Sequence, residues 1–399
     1  MHRRSFLLSG AAAAFAAGEH QKTVAAVVTE YRKLSHTDVI CSRILEGYTP
    51  DNVAVKPRTR IVSMYTDQVP PNDLSRAAAA KHGFPIYPTV AEALTRGGDK
   101  LAVDAVLLVG EHGNYPTNAR GQKLYPRYEL FQQIVEVFRR SGRVVPLFSD
   151  KHLSYSWEKA KKMYDETREW RIPFMAGSSI PVTVRTPELE IPLGAHLEHA
   201  VVVGYGDLDA YGFHTLESLQ CMVERRAGGE KGVAAVEWLE GETVWKWRDS
   251  EQGKWSAPLL DAALARALKA KPGRPEDNVK QPVLFRIEYR DGFRAVAYML
   301  NGQVQDWLFA TRMKGKPEIL STRFGLGPGG RYLVHFDGLV HVIEELFVTG
   351  KPVYPVERTL LTTGTLAFLF DSREQKRRVE TPQLSVAYQA PKHCYFQRA

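Results

Sequence analysis

Residues 144–163 read VVPLFSDKHLSYSWEKAKKM. Five apolar residues, Val144 to Phe148, are followed by a polar knot, Ser149-Asp150-Lys151-His152, and then by a helical pattern. An unbroken apolar run, with no polar alternation, is a strand buried on both faces, and such strands belong to parallel sheets covered by helices. The knot then stands at the carboxyl end of a strand. In an open α/β sheet, that is the edge where ligands bind.

The same unit recurs through the first half. Strands are expected at 22–28, 60–65, 85–87, 103–109 and 172–176. Helices are expected at 35–46, 72–83 (with Gly83 as its cap), from Thr89 to Gly97, at 128–140 and at 157–169. The loops after four of the strands carry Thr29-Glu30-Tyr31, Thr66-Asp67, Gly110-Glu111-His112-Gly113 and Asp150-Lys151-His152. One parallel sheet places all four on one edge. After Pro181 the pattern changes to strands at 201–205, 232–239, 242–247, 283–289, 293–299 and 303–310. Helices are expected at 214–225, 336–348 and 357–373, and a loop at 271–280. Arg290-Asp291-Gly292 between two alternating runs is the strongest hairpin signal. The fold class is therefore α/β. A Rossmann-like parallel-sheet domain (19–180) precedes an α+β domain with a mostly antiparallel sheet (181–385), whose last helices return towards the first domain, and a tail (386–399).

With 399 residues and a formal net charge of +8, the chain is long enough for two domains. No block combines dense Lys/Arg with interleaved aromatics, so nucleic acid is not an expected partner. Cys41, Cys221 and Cys394 lie far apart, which argues against a disulfide framework or a structural zinc site. Arg3-Arg4-Ser5-Phe6-Leu7-Leu8 and the alanine-rich run to residue 18 resemble a twin-arginine export signal, which implies the periplasm. No later run of eighteen apolar residues exists, so no integral membrane domain is expected. An exposed sheet face in the second half would point to a homo-oligomer.

Three regions carry candidate chemistry. Between Val28 and Leu45 the first loop holds no glycine, although a dinucleotide-binding sheet needs glycine where backbone approaches the pyrophosphate. A helix start at Ser35–Thr37, helped by Arg32, Lys33 and His36, is the remaining anion site, and Asp67 is the candidate for ribose hydroxyls. The third loop supplies Glu111 and Asn114 on the cofactor side and His112 on the substrate side. In the second half, His214 and Glu217 stand three apart on one helical face, a spacing that lets a carboxylate orient an imidazole for acid–base work. Asp209 precedes them, and Tyr332, His335, Asp337 and His341 form a later cluster in which His341 either faces His214 or covers the sheet. No ligand spacing specifies a metal.

These segments resemble the glucose–fructose oxidoreductase / inositol dehydrogenase / MocA-like family over roughly residues 22 to 385. PTVAEAL (88–94) is similar to the family's segment after strand three. Asp150-Lys151-His152 stands where the family has Glu-Lys-Pro, so the resemblance makes Lys151 the lysine near nicotinamide and substrate. Residues 175–185 resemble the segment that ends the first domain, with Arg185 as its arginine. Gly212, His214 and Glu217 match three places of the second motif, with Ala210 in the aspartate's place and Asp209 one residue away. Residues 330–372 resemble the returning helices. The resemblance implies NAD or NADP and a sugar or polyol hydroxyl as substrate, with Lys151, His152, His214 and Glu217 as catalytic residues. It also makes Arg185, Asp209, His112 and His341 substrate-binding. The glycine-free loop departs from the family. It leaves open a non-redox carbohydrate lyase, hydratase or hydrolase, and an exported carbohydrate-binding protein.

Overall fold

The computed structural model describes residues 21–325 and 333–398. The expected export signal and Tyr332 lie outside these residues. Six strands, β1 (Lys22–Glu30), β2 (Thr59–Gln68), β3 (Ile86–Tyr87), β4 (Ala105–Val109), β5 (Leu147–Asp150) and β6 (Phe174–Gly177), form a wholly parallel sheet in the order β3-β2-β1-β4-β5-β6. The connecting helices are α1 (His36–Glu46), α2 (Ser75–His82), α3 (Val90–Thr95), α4 (Arg127–Ser141) and α5 (Trp157–Glu169). Alternate residues of β1 feed opposite cores. Ala25 and Val27 pack with α3, α4 and α5, while Val24, Ala26 and Val28 pack with α1. The order reverses beside β1, so a crevice opens between the carboxyl ends of β1 and β4.

The second sheet contains β7 (Arg185–Thr186), β8 (Leu197–Gly204), β9 (Val233–Glu240), β10 (Val283–Tyr289), β11 (Arg294–Met299), β12 (Trp307–Met313), β13 (Ile319–Phe324) and β14 (Val379–Glu380). Its order is β14-β9-β10-β11-β8-β12-β13-β7, and only the β8–β11 pair is parallel. α6 (Ala210–Val223) covers the inner face. α7 (Glu242–Asp249) and α8 (Ser256–Leu264) cover the outer face, where Val201, Val203, Leu284 and Leu308 meet Val244, Leu259 and Leu260. A short α9 (Pro275–Asn278) interrupts the expected loop at 271–280.

The strand expected at 242–247 is therefore the helix α7. Thr-Val-Trp-Lys-Trp imitates β alternation, but only Val244 is buried in this segment, and Glu242 pairs with Lys246 one turn on at 3.1 Å. The hairpin forms as expected, with a three-residue loop in which Gly292 takes φ +84° and the Tyr289 N–H donates to Phe293 O. The exposed sheet face that would have argued for a homo-oligomer is covered by α7 and α8.

α10 (His335–Thr349) and α11 (Val356–Gln375) return to the first domain. α10 joins α1 in its core, and α11 lies against β6, where the Thr359 hydroxyl donates to Ala176 O at 2.6 Å. Residues 386–398 return to this seam. Phe396 is buried, and the Gln397 N–H donates to Val182 O. Among the described residues, no helix is long and apolar enough to cross a membrane.

Candidate active site

The carboxyl edge of the first sheet, the start of α6 and the start of α10 enclose a cavity of about 580 Å3. Lys151, His152, His214, His36, Glu111, His112 and Asp209 all line it. β5 delivers Lys151: the strand ends at Asp150, and Lys151 itself takes φ +70° while its N–H donates to Gly177 O at 3.0 Å. A left-handed lysine is a local strain held by surrounding structure. The residue is 2% exposed, and Nζ lies 2.7 Å from His214 Nε2 and 3.6 Å from Glu111 Oε1.

Glu111 also receives the buried Arg127 guanidinium, which lies 3.3 Å from His152 Nε2. Gly110 makes room for this arginine, because a Cβ there would sit 2.5 Å from Arg127 Cγ. Burial alone would raise the Glu111 carboxyl, but Lys151 and Arg127 outweigh it and hold it well below the usual carboxylate range. Burial, with Arg127 beside it, holds His152 well below its ordinary value. At neutral pH its Nε2 therefore accepts from Arg127, and Nδ1 carries the proton with no partner among the described residues.

His214 is likewise kept neutral, first by burial and then by Lys151. Lys151 donates to its Nε2, and Nδ1 faces Ser178 Oγ at 2.5 Å. Both ring nitrogens are thus engaged. Glu217 does not touch the imidazole. It accepts from the Thr362 hydroxyl at 2.6 Å and, at 3.4 Å, from the Ser178 N–H, and burial raises it to about 7. Three-residue spacing put both side chains on one stretch of helix, but nearly every residue of α6 is buried, so that spacing selects no partner.

His36, the first residue of α1, places Nδ1 2.6 Å from Asp150 Oδ2. Its backbone N–H donates to Nδ1 of His112, which burial lowers to about 4. Asp209 precedes α6. Its Oδ2 accepts from the Lys123 N–H at 3.2 Å, and its Oδ1 is buried with no partner among the described residues. Burial raises this carboxyl to about 6.

Five expected site residues do not reach the cavity. Asp67 and Asn114 are exposed at the β2 edge. Arg185 is buried between Phe324 and Phe396 and donates to Leu189 O and Pro181 O. His341 lies 4.6 Å from the Tyr395 ring, and Glu217 points away as described. Sequence reading missed Arg127, Ser178 and the aromatic wall of Tyr205, Tyr211 and Trp307. Gly110 was the one local signal for Arg127, and its meaning needs the fold. Among the described residues, no group of three His, Cys, Asp or Glu side chains is arranged to hold a metal ion.

In the crevice that would take a dinucleotide, the chain's own side chains take backbone donors. Ser35 Oγ accepts from the N–H of Arg32 and of Asp38, Asp38 Oδ2 accepts from the Leu34 N–H, and His112 takes the His36 N–H. The N–H groups of Arg32, Leu34, His36 and Asp38, which could face a pyrophosphate, are therefore spent on side chains. At the ribose position, the two Asp67 oxygens accept from Tyr65 OH and Tyr115 OH, and Gln68 makes two bonds to the backbone of Asn114. The loop after β4 is thus latched across the end of β2. These residues do not fit an adenine dinucleotide at this place.

No protein-family model and no curated protein matches the chain. Solved structures do. GenD2 from gentamicin A biosynthesis, in complex with NAD, is 13% identical with a TM-score of 0.58, covering 91% of this chain and 98% of its own. A myo-inositol dehydrogenase from Corynebacterium glutamicum is 10% identical with a TM-score of 0.55, covering 90% and 99%. Biliverdin reductase from Synechocystis, in complex with biliverdin and NADP+, is 12% identical with a TM-score of 0.51, covering 88% and 99%. The class this defines is a two-domain fold, a Rossmann-like parallel sheet followed by a mostly antiparallel one. Within it, the chain has the fold of the glucose–fructose oxidoreductase / inositol dehydrogenase / MocA-like proteins, and the sequence identities carry the likeness no further than fold.

Proposed function

We propose that this protein is an enzyme acting on a sugar- or cyclitol-like small molecule by proton transfer in the Lys151 cavity, without a dinucleotide. The observation that carries the reading is the cavity wall. It carries His152 and Asp209, whose buried Nδ1 and Oδ1 have no partner among the described residues, together with Tyr205 and Trp307. Unpaired buried polar groups cost stability unless a ligand meets them, and a polyol offers hydroxyls for both and a C–H face for the aromatics. Lys151 supplies a hydrogen-bond donor to a substrate oxygen, and neutral His214, anchored on Ser178, fixes where that donor stands. Calorimetric titration with monosaccharides, inositols and sugar acids tests the reading. Binding of at least one class that weakens in Lys151→Met and Asp209→Ala is expected, and no binding by any class would remove it.

A second reading keeps the redox chemistry of the fold neighbours, with a hydroxyl of the same substrate losing its proton to Lys151 as hydride passes to NAD or NADP. The sheet order and the cleft position favour it. Titration with NAD, NADP, NADH and NADPH separates the two readings, and tight binding of any one would replace the first reading with the second. The twin arginines support export. Cell fractionation of the intact chain against Arg3→Lys with Arg4→Lys checks this, and an unchanged distribution would count against the twin-arginine route.

A further inference from the structure

The proton acceptor of this site is not evident from the fold. His214 has no lone pair to offer, since Nε2 accepts from Lys151 and Nδ1 faces Ser178. His152 presents a donor, and His112 has Nδ1 committed to the His36 N–H. His36 differs from all three. Asp150, 1% exposed, takes its Nδ1–H at 2.6 Å, which fixes the tautomer and leaves the lone pair on Nε2. Among the described residues Nε2 makes no hydrogen bond, and the ring lines the cavity between His112 and Phe336.

A base in a site without a hydride acceptor can act on an acidic C–H, and such a C–H lies next to a carbonyl. We infer that His36, held by Asp150, is the general base that removes a proton from the carbon beside the carbonyl of a keto-sugar or keto-cyclitol, with Lys151 receiving the developing oxyanion. This inference rests on the function proposed above. The C–H bond breaks and its proton passes to Nε2. Its electron pair forms the C=C bond of an enediolate, while the carbonyl π pair moves to oxygen against Lys151 Nζ. Return of a proton to either face of the carbon completes an exchange or an epimerisation, and no oxidant or reductant is consumed.

The test incubates the full chain in D2O with D-fructose, D-tagatose and 2-keto-myo-inositol, and follows deuterium at the α carbon by NMR. Wild-type exchange above buffer is expected, falling about 100-fold in His36→Gln and about tenfold in Asp150→Asn. Binding of myo-inositol by His36→Gln should stay within about twofold of wild type, since general acid–base groups act on the chemical step. Added imidazole should restore exchange to His36→Gly, which a purely structural role would not produce. Exchange that survives His36→Gln overturns the inference and leaves the underlying reading intact. No wild-type exchange with any of the three ketones overturns the keto-substrate chemistry, while polyol binding separately decides the underlying reading.

Discussion

Replacing Glu217 with glutamine should stabilise the protein, by an amount that grows as pH rises from 4.5 to about 7 and is constant above that. The carboxyl is fully buried, and burial raises it from an ordinary 4.5 to about 7. Below pH 4.5 the folded and unfolded chains both carry the proton, and the group contributes no pH dependence. Between pH 4.5 and about 7 the unfolded chain releases its proton while the folded chain keeps it, so each pH unit removes about 1.4 kcal/mol of stability. By pH 8 the accumulated cost is about 3 kcal/mol. Glutamine does not ionise and avoids this cost. Its amide oxygen can accept from the Ser178 N–H and its NH2 can donate to Thr362 Oγ1. The Thr362 hydroxyl can then turn to the carbonyls of Arg358 and Thr359, 3.1 and 3.2 Å away. Urea unfolding of wild type and Glu217→Gln from pH 4.5 to 8.5 should give curves that meet at the acid end and diverge by about 3 kcal/mol at pH 8. Curves that run parallel across the range would refute the argument, because the carboxylate would then be ionised in the fold at no cost.

Gly110→Ala should destabilise the fold by about 2 kcal/mol in urea, because its Cβ collides with Arg127 Cγ and displaces the partner of Glu111 and His152. Lys151→Met should lower stability at pH 7 by about 3 kcal/mol by leaving Glu111 with Arg127 alone, and adding Glu111→Gln should recover part of that loss. Cys41 and Cys221 are buried, and burial pushes the Cys221 thiol up to about 12. A thiol reagent at pH 8 should therefore label the half-buried Cys394 first, and both other cysteines only after urea is added.

Much of the first domain was legible because its strands are apolar runs with one meaning. The apolar run from Val144 to Phe148 announced a covered strand, which the fold sets later, at Leu147–Asp150, and that run pointed Lys151 to the ligand edge before any contact was known. The second domain was legible where turn chemistry spoke, as at Asp291-Gly292, and misleading where local propensity competed with packing, as in α7. Within the site, His36, Glu111, His112, His152, Asp209 and His214 were found because they sit in strand-end loops or at helix starts. Their partners were not. His36 was read as an anion holder, but its meeting with Asp150 spans 114 positions of sequence, and no spacing rule encodes it. Arg127 lay hidden for a similar reason: it opens α4 as an ordinary surface-looking arginine and becomes a buried cation only when Gly110 lets β4 approach it.

Both edges of the eight-stranded sheet are strands of two residues, Arg185–Thr186 and Val379–Glu380. Pro187 follows the first and lacks an N–H, and Arg378 precedes the second, paired with Glu288 at 2.7 Å. Edges this short and this charged offer no template for another chain's strand. A broad sheet can thus be held at high concentration without strand-to-strand aggregation, and the +8 net charge adds mutual repulsion between copies.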